Sequence, residues 1–176
     1  FADCYPNNPN IDPESIQKLI TKKTKAIVVV HYAGVACDMD QVMEIAKRHN
    51  LFVVEDAAHA IASFHKGKPL GSIGDFGAFS FHETKNIICG EGGALLINNT
   101  KFRKEAEIIW EKGTDRASFF RGEVNKYEWK SLGSSFYPSE ITAAYLFAQL
   151  ENLDSIQNRR KLIWDKISYY GYGLCP

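Results

Sequence analysis

No run of apolar residues in these 176 residues approaches the roughly 20 that a membrane-spanning helix needs, so no membrane partner is expected. The opening residues, Phe1-Ala2-Asp3-Cys4, have neither the basic start nor the cleavage site of a secretory signal. A cytoplasmic location is therefore the expectation. An excess of one charge is missing as well: 21 Lys and Arg balance 21 Asp and Glu, and a net charge of zero leaves no global field to gather nucleic acid. Any anion must be held by a few placed groups. Cysteine is scarce, and Cys4, Cys37, Cys89 and Cys175 are far apart with no Cys-x-x-Cys, which argues against a zinc ribbon and against a disulfide framework. His31 and Cys37 stand apart, and His59 and His65 face a glycine-rich stretch, so no metal site is expected. Internal repeats and low-complexity tracts are absent. The sequon Asn98-Asn99-Thr100 carries little weight without an export signal.

What is present, 45% hydrophobic and 24% charged residues, is the composition of one ordinary globular domain. Asp12-Pro13 supplies an N-cap and a first-turn proline, and Ile16, Leu19 and Ile20 follow at helical spacing, so a helix is predicted over about 13 to 23. The β-branched run from Ala26 to Val30 suits a strand buried on both faces of a parallel sheet. Asp38 opens a second helix with Met39, Val42, Met43 and Ala46 inward, and Leu51 to Val54 is the next strand. Repeated βαβ spacing argues for an α/β domain with a mostly parallel sheet covered by helices. Further strands are predicted over 76–81 and 94–98, the second entered through Gly90-Glu91-Gly92-Gly93, and a helix over 101–112. The stretch from Gly113 to Tyr137 reads as a long functional loop. From Ser139 one long helical pattern runs toward Tyr170. Phe1-Ala2-Asp3 reads as the tail of a strand, and the chain stops at Pro176 just after that helix, so a piece of a longer protein is expected.

Two segments could carry chemistry. In Val53-Val54-Glu55-Asp56-Ala57-Ala58-His59, carboxylates sit where a buried strand ends, the place where open α/β sheets bind ligands. Asp56 on position alone is as well explained as a cap of the following turn. In Ser80-Phe81-His82-Glu83-Thr84-Lys85-Asn86, a strand end runs into a hydroxyl, an imidazole and a lysine, although a lone loop lysine is ordinarily a solvated surface group.

Taken together with the glycine cluster, these segments resemble the DegT/DnrJ/StrS family of pyridoxal-phosphate-dependent sugar aminotransferases, and the resemblance covers essentially the whole chain. It implies the fold type I architecture of aspartate aminotransferase. Residues 1–138 would be part of the large cofactor-binding domain, and 139–176 a long helix leading toward a small C-terminal domain. It implies that Lys85 forms the Schiff base with pyridoxal 5′-phosphate and shuttles the proton, and that Asp56 keeps the pyridine nitrogen protonated so that the ring works as an electron sink. By the same resemblance Ser80 contributes to the phosphate site and His59 lies beside the ring, where a packed core histidine is the alternative. His82 either lines the sugar site or braces the lysine loop. The segments His31 to Cys37, Glu111 to Arg116 and Phe119-Phe120-Arg121-Gly122 point within the family to amination of dTDP-4-oxo-6-deoxy-D-glucose with glutamate as donor. Arg121 and Lys126 are then candidates for the nucleotide-sugar pyrophosphate or for contacts across a homodimer. Three departures stand out. The family's Gly-Thr phosphate turn would lie upstream of Phe1, its small domain would lie beyond Pro176, and Ser135 occupies a position where many members have Asn. The isolated chain is accordingly expected to be inactive.

Competing readings fare less well. A sugar dehydratase of the same fold carries histidine in place of the lysine, against Lys85. A Rossmann module needs a Gly-x-Gly-x-x-Gly after an early strand, and none is there. A non-catalytic interaction fragment stays open for the isolated chain.

Overall fold

The computed structural model describes residues 1–171, so Cys175 lies outside the described residues. A hairpin of β1 (Cys4–Tyr5) and β2 (Asn8–Ile11) leads into α1 (Pro13–Leu19), where the Asp12 side chain accepts the Glu14 amide at 2.9 Å. The helix ends at Leu19, short of the expected residue 23. Thr21 and Thr24 form a turn there in which each hydroxyl accepts a nearby backbone N–H, an alternative to helical bonding. After β3 (Ala26–Val30), α2 (Met39–His49) runs from its Asp38 cap to a left-handed Asn50 and delivers the chain to β4 (Phe52–Asp56). The minor hairpin of β5 (Phe64–His65) and β6 (Lys68–Pro69) precedes β7 (Phe76–Ser80) and β8 (Gly93–Ile97). The main sheet has the order β3-β4-β7-β8, with β3, β4 and β7 parallel and β8 antiparallel to β7.

Four helices follow: α3 (Arg103–Trp110), α4 (Arg116–Phe120), α5 (Glu140–Glu151) and α6 (Leu153–Gly171). The single long helix expected from Ser139 is thus broken at Asn152. Its side-chain amide donates to the Ala148 carbonyl at 2.9 Å, and its backbone N–H donates to Gln149 rather than continuing the helical ladder. Among the described residues no helix is long and apolar enough to cross a membrane.

The sheet is covered on one face. Ile27, Val29 and Val53 pack with Ile16 of α1, with Cys37, and with Met39, Val42, Ile45 and Ala46 of α2. The alternate residues point the other way, and there Val28 is 58% exposed and Leu95 62% exposed. The expectation that β3 is buried on both faces is corrected. Its composition is apolar on both sides, but the described helices cover one side, and Phe102 reaches over only the Phe52 and Phe76 end of the other.

Gly77 shows how tightly the covered face is built. A Cβ there would fall on the Gly71 carbonyl, which is backbone and cannot step aside. Gly77→Ala in the full-length protein is expected to cost about 2–3 kcal/mol of stability, read as a lower denaturant midpoint. An unchanged midpoint would contradict this packing.

Candidate active site

Parallel pairing brings the carboxyl ends of β3, β4 and β7 to one edge, with Val30, Asp56 and Ala78 in register. Residues paired in this way share a face, so Asp56 and, two residues beyond Ala78, Ser80 both belong to the open face. Glu55 points into the covered side. Asp56 is half-buried. Its Oδ1 accepts the Ala58 amide at 3.0 Å, and its main-chain carbonyl accepts the His31 N–H at 3.0 Å. The capping role weighed from the sequence is thus real, yet it uses one oxygen, and Oδ2 has no partner among the described residues.

Lys85 stands on a loop with two anchors, Phe81 at 5% exposure and Ile87 at 0%. Backbone bonds close this loop from both sides: Phe81 N–H to Gly92 C=O at 2.8 Å, Glu83 N–H to Gly90 C=O at 2.9 Å, and Lys85 N–H to His82 C=O at 2.9 Å. Gly90 turns the chain at φ +84°, a conformation that L side chains rarely adopt. Lys85 is a half-buried residue with no ion pair among the described residues, and every other lysine is exposed.

The other candidates divide. The Ser80 hydroxyl accepts the His82 amide at 3.3 Å, which leaves its own proton free to donate. His59 is exposed at the same edge. Its Nδ1 accepts the Ala33 amide at 3.3 Å and its ring meets the Tyr32 ring edge-on at 5.7 Å, so it is held in place without being a packed core residue. His82 braces the lysine loop: its ring reaches Thr84 Oγ1 at 2.9 Å and Glu91 Oε1 at 3.5 Å.

Arg121 does not present a free cation. Its Nε donates to Glu123 at 2.6 Å, and Nη1 and Nη2 donate to Glu107 at 2.7 and 2.9 Å, clamping α4 to α3. The two carboxylates hold the guanidinium above its ordinary range, Glu123 first and then Glu107. As a substrate-binding candidate it would have to exchange these carboxylates for the ligand. Lys126 is exposed.

The segment from Gly113 to Tyr137, expected as one long loop, contains a short helix, α4, and folds back onto the end of α3 through bridges of Glu111 with Ser135 and Thr114 with Trp129. The buried Glu111 carboxylate accepts the Tyr137 hydroxyl, whose pKa is pushed up to about 12 by burial and then by that carboxylate.

Sequence reasoning passed over Glu55 and His31, both fully buried. Burial alone would raise the Glu55 pKa. Hydrogen bonds from the His31 ring and from the amides of Gly74, Gly71 and Ile73 more than reverse that and hold it below the ordinary glutamate range. The available signal was an acidic residue inside a buried strand, next to the one that faces the site.

Comparison with known proteins fits this geometry. The model of the DegT/DnrJ/EryC1/StrS aminotransferase family matches residues 1–170. The spore coat polysaccharide biosynthesis protein SpsC of Bacillus subtilis is 40% identical over 166 residues, covering 93% of this chain and 43% of SpsC. PseC of Helicobacter pylori, an aminotransferase of pseudoaminic acid biosynthesis, superposes with a TM-score of 0.82 at 34% identity, covering 95% of this chain and 44% of PseC. Spr1654 of Streptococcus pneumoniae in its pyridoxal phosphate form superposes with a TM-score of 0.81 at 29% identity, covering 96% of this chain and 46% of that one. The chain therefore spans less than half the length of these relatives. With a lysine, an aspartate and a serine at one carboxyl edge of a mostly parallel sheet, and a family match that runs through all three, this chain belongs to the DegT/DnrJ/EryC1/StrS aminotransferase family.

Proposed function

We propose that the complete protein transfers an amino group to a nucleotide-linked oxo sugar, with Lys85 carrying pyridoxal phosphate and Asp56 holding the proton on its pyridine nitrogen. The observation that supports this most is the placement of Lys85, the one lysine that is not exposed, on the loop that leaves β7 beside the strand that ends in Asp56. The residues suit the cofactor. Asp56 Oδ2 is an uncommitted acceptor, the Ser80 hydroxyl is an uncommitted donor for a phosphate oxygen, and His59 stands beside them at the same edge. When bound, pyridoxal phosphate supplies an electron sink for the carbon that gains or loses the amino group. Lys85 as a free amine moves the proton at that carbon, and Asp56 keeps the ring charged throughout.

The substrate we propose is dTDP-4-oxo-6-deoxy-D-glucose, with glutamate as donor and a 4-amino-4,6-dideoxy sugar as product. With Arg121 engaged by its neighbours and Arg116 3.8 Å from the Glu111 carboxylate, Lys126 is the cation of this segment that forms no ion pair among the described residues. Arg116 lies over the Phe120 ring at 4.9 Å, and Phe120 is 69% exposed. Residues 1–138 belong in this reading to the large domain, and 139 onward leads toward the small one. The working enzyme is a cytoplasmic homodimer, in keeping with the exposure of Trp129 at 75% and Phe136 at 60%, large aromatics that favour an interface.

The test offers the full-length protein the 4-oxo and 3-oxo sugar nucleotides with glutamate and identifies the product by NMR. Amination at C4 is expected. Amination of the 3-oxo isomer alone would remove the substrate and leave the aminotransferase reading standing. Light scattering on the same preparation should give a dimer, and a fully active monomer would overturn that part.

A further inference from the structure

Glu55 and Asp56 are adjacent on β4 yet serve opposite faces. Glu55 is fully buried and each of its oxygens accepts two hydrogen bonds: Oε2 from His31 Nε2 at 2.9 Å and the Gly71 amide at 2.8 Å, Oε1 from the Ile73 and Gly74 amides at 2.6 Å each. His31, also fully buried, is equally committed. Its Nδ1 accepts the Cys37 amide at 3.2 Å, so the ring hydrogen sits on Nε2 and is given to Glu55. Its own backbone N–H donates to the Asp56 carbonyl at 3.0 Å. One histidine thus grips the strand end twice, once by the carbonyl of Asp56 and once by the side chain beside it.

The same residue directs the neighbouring turn. Immediately after His31 the chain makes a tight turn through Tyr32–Gly34, with Ala33 at φ 52°. The Ala33 amide reaches His59 Nδ1 at 3.3 Å while the Tyr32 ring lies edge-on to His59. His59 therefore takes its place from a turn whose root is the buried His31.

We propose that the His31–Glu55 pair is the positioning device of this site, fixing the direction of Asp56 and the place of His59 without touching the cofactor. This rests on the reading of Asp56 as partner of the pyridine nitrogen. A pair of apolar residues could fill the same volume but would leave the Gly71, Ile73, Gly74 and Cys37 amides without their acceptors. What apolar residues cannot do is fix rotation, because dispersion contacts have no direction. Five directed bonds on two side chains do.

The experiment uses the full-length holoenzyme and follows the pH midpoint of the visible absorption band of bound pyridoxal phosphate. Asp56→Asn is the reference. A ring nitrogen that loses its carboxylate loses its positive charge, and the nitrogen joining the ring to Lys85 becomes more basic, so the midpoint should rise by about one pH unit or more. His31→Leu should move it the same way by about half a unit, roughly threefold in proton affinity, as Asp56 swings out of line. His31→Gln, whose amide can both donate to Glu55 and accept from Cys37, should return it toward the parent value. Glu55→Gln replaces His31→Leu if that variant fails to give a native circular dichroism spectrum. If Asp56→Asn shifts the midpoint while the folded His31→Leu or Glu55→Gln protein loses only thermal stability, the pair is structural and the proposal is overturned with the function intact. If Asp56→Asn itself leaves the midpoint unchanged, the reading of Asp56 falls and this inference falls with it.

Discussion

Lys85→Ala in the full-length protein is expected to lower transamination by about four orders of magnitude, because one side chain supplies both the covalent tether and the proton transfer. The geometry gives the reason that Lys85, and not one of the other lysines, is the residue affected: Lys85 is half-buried on the loop that follows Ser80, whereas every other lysine is exposed. Its loop is clamped by Phe81 and Ile87, so the substitution should leave the fold intact. The measurement that locates the link is borohydride reduction of the holoenzyme followed by peptide mapping. The pyridoxyl group should be found on the peptide carrying Lys85, and label on another lysine would refute the assignment. Lys85→Arg separates charge from chemistry: it keeps the cation and cannot form the link, so it should be as inactive as the alanine variant.

Asp56→Asn is expected to lower kcat by about a hundredfold or more with a smaller loss of bound cofactor. The isosteric amide can still accept the Ala58 N–H through its oxygen, so the turn at the end of β4 is retained. What is lost is the negative charge on the open face, and with it the preference for a protonated ring nitrogen. Each pH unit by which that nitrogen's affinity falls corresponds to about 1.4 kcal/mol, so a two-unit loss alone accounts for the expected factor. Cofactor retention should suffer less, since in the proposed reading Ser80 and Lys85 hold other parts of it. Steady-state kinetics with a parallel cofactor titration checks both halves, and near-normal turnover would sink the role.

Much of the fold was legible because local rules and tertiary packing agree. The Asp38 cap and the left-handed Asn50 bracket α2 almost to the residue, and the β-branched run became β3. Where they disagree, a polar side chain intervened. The Thr21 and Thr24 hydroxyls shortened α1, and the Asn152 amide cut one expected helix into α5 and α6, because each offers the backbone a competing bond that hydrophobic spacing does not register. The sequon asparagine illustrates the same point: Asn98 donates its amide to the Gly71 and Gly74 carbonyls at 2.9 Å each, a structural task invisible in the motif.

The sequence by itself determined the α/β class, the positions of the strands that end in Asp56 and Ser80, the loop bearing Lys85, and the family to which these motifs belong. Those are properties of residue type and short spacing. Only the tertiary structure decided which face of β4 is covered, that Arg121 is committed to Glu107 and Glu123, and that His31 is buried against Glu55. The physical reason is that these depend on strand register or on partners far along the chain, Arg121 on Glu107 at a separation of 14 residues and Glu55 on His31 at 24. Period-two alternation says that neighbours on a strand point to opposite faces, and only the packing of α1 and α2 onto one side of the sheet says which face is which.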